Sequence, residues 1–153
     1  MDKRTELNTA MKEAMKSKDA VALSTIRLIL AALKDRDIDA RGKGNPDGLK
    51  DPEILSMMQG MIKQRQESAA TYKSANRTDL SDREDAEIKV IERFLPKQMD
   101  DAGIEKVVIN LMTELSVTDV RDMGKVMAAL KTRYAGQLDM SKASNMVKQK
   151  LAG

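Results

Sequence analysis

The chain contains no cysteine, histidine or tryptophan, and only one Phe, two Tyr and three Pro among its 153 residues. Without Cys or His there is no disulfide framework, no thiol nucleophile, no imidazole base and no zinc site of the usual ligand type. Long apolar runs are missing too. With 41% of residues hydrophobic and 33% charged, no stretch reaches the ~18 apolar residues that read as a membrane-spanning helix. The polar opening, residues 1–7, does not resemble a secretory signal. A soluble cytoplasmic protein without membrane contact is the expectation.

Turn formers are scarce as well, with eight Gly and three Pro, a share well below the roughly 12% of an average chain. What fills the sequence instead is Ala, Leu, Met, Lys, Arg, Glu and Gln, the strongest helix formers. Aromatic residues, the usual anchors of sheets, make up 2%. The composition predicts an all-α fold. Twelve Met suit a core packed by flexible, polarizable side chains rather than rings.

Helical spacing organises the chain further. Leu7, Met11, Ala14 and Met15 predict a first amphipathic helix over residues 2–17. Asp19 caps a second, over 20–41, with Leu23, Ile26, Ile29, Leu30 and Leu33 on one side and Leu28 well off that stripe; a central helix covered on most sides is expected. Residues 42–50, with Gly42, Gly44, Asn45-Pro46 and Gly48, read as an exposed loop. Asp51, Pro52 and Glu53 then supply an N-cap, a first-turn proline and a first-turn acid for a helix reaching residue 75. Ser81 and Glu84 have capping-box spacing and open a helix whose stripe is Ile88, Ile91 and Leu95. Pro96 closes it and marks the expected boundary between a multihelical N-terminal bundle, residues 1–96, and a small three-helix C-terminal domain, residues 97–153. Periodic segments at 101–115, 118–134 and 139–151 supply those three helices.

Few positions offer chemistry. Arg65 falls in the middle of the stripe formed by Ile54, Met58, Met61, Ala69 and Tyr72, so a structural ion pair with Glu84 or Glu87 of the next helix is expected. Arg27, Lys34 and Arg41, spaced by seven, form a secondary basic edge, either a solvated face or a phosphate-binding one. Residues 1–96 carry 18 basic and 17 acidic residues, whereas 121–153 carry seven and two, a surplus of +5. Arg121, Lys125, Lys131, Arg133, Lys142 and Lys148 are the candidate RNA-binding residues of that end. Lacking aromatic platforms for unpaired bases, they suit a folded, phosphate-rich surface, with no DNA specificity expected. Gly124 is expected inside a helix, where a glycine implies close approach by a neighbouring helix or a bound surface. No Walker-type or dinucleotide loop is present. The acidic sets Asp100-Asp101 and Asp35, Asp37, Asp39 read as solvated charge rather than metal ligands. No catalytic residue, metal or cofactor is assigned.

Four runs carry a family resemblance: Leu23-Ser24-Thr25-Ile26-Arg27 through Ala31-Ala32-Leu33-Lys34; Ile62-Lys63-Gln64-Arg65-Gln66-Glu67-Ser68; Glu87 through Phe94-Leu95-Pro96-Lys97-Gln98; and Asp122-Met123-Gly124-Lys125-Val126-Met127. In these the chain resembles the YqeY family, small bacterial and organellar proteins related to the C-terminal tail of GatB, the tRNA-recognising subunit of the glutamine-dependent aspartyl/glutamyl-tRNA amidotransferase. The resemblance covers nearly the whole chain. It implies an all-α fold and a place in translation. It also implies the label of carbon–nitrogen ligase activity with glutamine as amide donor. In that complex the glutaminase is a separate subunit and the ATP-dependent chemistry lies in the GatB core, so what carries over is tail-like tRNA engagement. At Gln137 the chain departs from the Lys usual in the family. The expectation is a non-catalytic module that binds tRNA or a tRNA-handling protein; a protein–protein adaptor with a Met-rich groove, or an accessory to a carbon–nitrogen ligase, are the alternatives.

Overall fold

The computed structural model describes residues 2–152. Among them are seven α-helices, one 3₁₀ turn and no strand: α1 (Lys3–Ser17), α2 (Ala20–Gly42), α3 (Asp51–Ser74), α4 (Thr78–Glu92), α5 (Asp101–Glu114), the 3₁₀ turn Val120–Asp122, α6 (Met123–Arg133) and α7 (Met140–Ala152). The fold is all-α. No helix among the described residues is long and apolar enough to cross a membrane.

Several helix starts are written in the sequence. Asp2 accepts from the Thr5 N–H at 2.8 Å, Asp19 from the Ala22 N–H at 3.1 Å and Asp100 from the Gly103 N–H at 2.8 Å, each satisfying an otherwise orphaned donor. Others depart from expectation. Lys50, not Asp51, is the N-cap of α3; Asp51 sits inside the first turn, and Glu53 accepts the Lys50 N–H at 3.2 Å. The helix α4 begins three residues before Ser81, which is fully buried within it and donates its Oγ–H to the Thr78 carbonyl at 3.2 Å. The Ser81/Glu84 spacing is therefore mid-helix, not a cap. Likewise, the expected helix over 118–134 divides into the 3₁₀ turn and α6, because Asp119 accepts the Arg121 N–H and tightens the chain there.

The chain separates into two compact units, residues 1–96 and 97–153, each with its own core. In the first, α3 and α4 form an antiparallel hairpin, α4 also lies against α2, and α2 pairs with α1. Leu7, Ile26, Ile29, Leu33, Ile54, Met58 and Ile91 fill the interior. In the second, Ile104, Val108, Leu111, Val126, Leu130 and Val147 of α5, α6 and α7 meet around Leu138. The Met99 N–H ties the entry of this unit to the Gln137 carbonyl at 2.7 Å. Met57 and Met58 are buried, and most other described Met side chains pack, partly buried, against one core or the other.

Three further expectations are corrected within the first unit. Asp37 is not solvated: it is 7% exposed and binds Arg4 through both Nε and Nη2 while accepting the Leu49 N–H at 2.8 Å. Arg4 Nη2 also donates to the Leu49 carbonyl at 2.8 Å. Burial pushes the Asp37 carboxyl upward, but the hydrogen bonds from Arg4 and Leu49 outweigh it and hold the group below the usual carboxylate range. The loop after α2 is thus not exposed throughout, since Gly48 is buried and Leu49 packs on the core. Nor is α2 covered on most sides. Val21, Leu28 and Ile38 remain 48%, 48% and 55% exposed.

Candidate functional site

Arg121, Lys125, Lys131, Arg133, Lys142 and Lys148 all occupy exposed positions on the 3₁₀ turn, α6 and α7 of the second unit. Helical spacing alone explains this, because Lys125 precedes and Lys131 follows the buried Val126 and Leu130, while Lys142 and Lys148 flank Ala143 and Val147 in the same way. The three-dimensional fold then adds what the linear surplus conceals. Arg133 makes a two-pronged pair with Glu114 at 2.7 and 2.9 Å, Lys142 reaches Asp101 at 3.0 Å and Lys150 reaches Glu105 at 3.3 Å.

Those three acids all belong to α5, outside the segment whose charge surplus stands out in sequence. Counted over residues 97–153 the balance is nine basic against seven acidic residues, net +2. Arg121 is held locally by Asp119 at 2.9 Å, and Lys125 lies 3.6 Å from Asp122. The Arg133 and Arg121 side chains, through hydrogen bonds, keep the Glu114 and Asp119 carboxyls below their ordinary range; the hydrogen bond to Asp101 raises the Lys142 ammonium. Lys131 and Lys148 have no carboxylate partner among the described residues. They are the cations most available to an incoming anion.

Gly124 stands in the first turn of α6, exposed, and a Cβ built there would meet nothing within 4 Å. The close intramolecular approach expected at this glycine is absent. A shallow, mostly apolar groove of about 400 Å³ lies elsewhere in the unit, bordered by Ile109, Met112, Val117 and Lys150. No group of three or more potential metal-ligating side chains occurs among the described residues.

In the first unit, Arg65 Nε donates to Glu87 Oε2 at 2.9 Å and Arg65 Nη1 to the Met61 carbonyl at 3.2 Å. Both side chains are 13% exposed. Arg83, one turn before Glu87, approaches its other oxygen at 3.7 Å. Glu84 takes no part in this pair. The apolar stripe carries the guanidinium inward, so a carboxylate must accompany it across the α3–α4 interface. The basic edge of α2 behaves differently. Arg27, Lys34 and Arg41 are all exposed, and only Arg41 has a described hydrogen bond, to the Pro46 carbonyl at 3.3 Å.

The chain is similar in sequence to several curated proteins. The altered inheritance of mitochondria protein 41, mitochondrial, of Lachancea thermotolerans is 34% identical over 117 residues, covering 75% of this chain and 60% of that protein. Its namesake in Meyerozyma guilliermondii is 38% identical over 91 residues, covering 58% and 44%. That of Candida glabrata is 29% identical over 143 residues, covering 94% and 65%. The chain therefore spans less than two thirds of the length of these curated relatives. Their names also correct the expected cytoplasmic location, pointing to mitochondria instead. With its all-α architecture, and with residues 4–151 matching the Yqey-like protein family, the chain belongs to that family.

Proposed function

We propose that the chain is a non-catalytic helical module that engages tRNA, or a protein that handles it, through the phosphate-facing surface of the 3₁₀ turn, α6 and α7. One observation carries this reading: all six candidate cations lie on exposed positions of a single compact unit. Surface ion pairs are weak and salt-screened, so a carboxylate on Arg121, Arg133 or Lys142 can be exchanged for a phosphate oxygen. Lys131 and Lys148 need no such exchange. Phosphate contacts of this kind position a nucleic acid without reading its sequence, and weak specificity follows. The relation of the YqeY family to a tRNA-engaging tail supports the choice of RNA over other polyanions.

Titration of a labelled tRNA transcript with the full chain at several salt concentrations tests this. If two to four phosphates are neutralised, log K falls with log salt at a slope of about −2 to −4. Changing Lys131 and Lys148 together to Glu should abolish binding without altering the helical circular-dichroism signal, because neither side chain holds an acid or faces the core. Undiminished tRNA binding by that variant at low salt would remove this surface from consideration. Glutamine-dependent amidation of a charged tRNA, appearing only when the chain is added to an amidase, would favour the ligase-accessory reading instead.

A further inference from the structure

The outer face of α2 has a pattern that neither the core nor the proposed tRNA surface uses. Val21, Ser24, Leu28, Ala31, Asp35 and Ile38 alternate in steps of three and four, the a/d spacing of a coiled-coil seam, and every one is exposed. Arg27, Lys34 and Arg41 repeat at seven and fall in the g positions of the same heptads. An a/d seam normally lies inside a helix pair. Here three large apolar side chains, each about half exposed, stand in water beside an uninterrupted row of cations. Ser24 and Ala31 at the d positions are small enough to let a second helix come close.

We propose that this face docks a helix of another protein, one with a heptad apolar stripe and an acidic flank that runs along Arg27, Lys34 and Arg41. Charge selects this occupant. A second copy docked in parallel would set Asp35 against its own counterpart within the seam. In antiparallel docking the three-cation row would lie along itself. Both arrangements juxtapose like charges, which disfavours self-pairing. RNA would use the cations but would leave Val21, Leu28 and Ile38 uncovered, whereas an amphipathic helix satisfies both features at once. Asp35 adds a specificity requirement, since the occupant must present a cation or a polar group at that layer.

The test uses the full chain and two synthetic helices of about three heptads, alike in their Leu/Ala seam with one Lys set to meet Asp35, but carrying Glu or Lys along the flank. Fluorescence anisotropy should show the Glu-flanked peptide binding at least about tenfold more tightly than the Lys-flanked one. The R27E/K34E/R41E variant should reverse that order. Leu28→Ser with Ile38→Ser should weaken the Glu-flanked peptide while the helical circular-dichroism signal at the assay temperature is retained, because neither side chain belongs to the buried core. Equal binding of the two peptides, or a preference that survives charge reversal, overturns the proposal. So does loss of tRNA binding in R27E/K34E/R41E with no peptide bound, which would make the edge a phosphate site. Concentration-dependent dimerisation abolished by the Leu28/Ile38 changes would overturn it in favour of a second copy. The tRNA reading is tested at Lys131 and Lys148 of the second unit, so either proposal can fail without the other.

Discussion

Replacing Asp37 by Asn keeps the shape of the side chain and removes the charge on which Arg4 and the loop before α3 converge. Asp37 is 7% exposed and receives two hydrogen bonds from Arg4 and one from the Leu49 N–H. An Asn can still accept from Leu49, so the loss is confined to the charge-assisted contact with Arg4. Such a contact contributes about 1.5–3 kcal/mol. The Arg4 side chain is 34% exposed and can recover part of its hydration, which places the expected cost near ~2 kcal/mol. For a unit of this size that lowers the melting temperature by about 8–16 °C. Arg4→Met is expected to cost more, about 3 kcal/mol, because the more deeply buried partner is then left with one neutral donor.

The pH dependence has a definite sign. Since the folded state holds the Asp37 carboxyl below its usual range, the pair stabilises fully above the unfolded value of about 4 and is lost as pH falls through the lower folded value. Urea unfolding followed by circular dichroism should therefore show a full gap between the parent and Asp37→Asn above about pH 5, closing below about pH 4. Hydrogen exchange supplies a local readout at the Leu49 amide, which should lose protection in Asp37→Ala. A cost for Asp37→Asn below about 0.5 kcal/mol, within the range of ordinary surface changes, would refute the reasoning.

The same network makes Gly48 irreplaceable: its φ is +74° and an added Cβ would overlap the Asp37 carboxylate. Gly48→Ala is expected to cost at least ~2 kcal/mol in urea unfolding; Gly44→Ala, with φ +92° but open space around it, should cost less, and equal costs would contradict the role given to Asp37. At the α3–α4 interface, Glu87→Ala should destabilise by about 3 kcal/mol, leaving Arg65 buried without a carboxylate. Arg65→Met should be milder, because Glu87 keeps Arg83 at 3.7 Å; thermal unfolding that ranks the two in the opposite order would refute this. The purified chain should turn over neither glutamine nor ATP, and activity abolished by a point mutation in this chain would contradict the non-catalytic reading.

How much was legible without the structure differs from feature to feature. The periodicity of Ile26, Ile29 and Leu33, or of Val126 and Leu130, marks core positions, because a helix presents every third or fourth residue to one side. Arg65 betrays its inward direction for the same reason, although the stripe alone leaves Glu84 and Glu87 as rivals. The cap at Asp19 is legible because a short acid there faces a free N–H, whereas the caps at Asp2 and Asp100 emerge only in the structure. The pattern misleads where spacing has two readings. Ser81 and Glu84 stand at capping distance inside a helix that already started, and Gly124 belongs to a first turn instead of a helix middle.

Local pattern thus determined the helices, the apolar stripes and the all-α class, since these depend on residues within a few positions of one another. Tertiary structure alone decided the state of the charges. Asp37 resembles Asp35 and Asp39 in sequence, yet only it turns inward to meet Arg4, 33 residues away. The +5 surplus of residues 121–153 shrinks once α5 brings Asp101, Glu105 and Glu114 against Lys142, Lys150 and Arg133. Arg27, Lys34 and Arg41 on α2 form no ion pair among the described residues, although α1 and α4, which pack against that helix, both carry acids. Hydrophobic periodicity is a property of one helix, whereas an electrostatic environment is set by whichever helices lie next to it, and neighbours distant in sequence leave no mark on the local pattern.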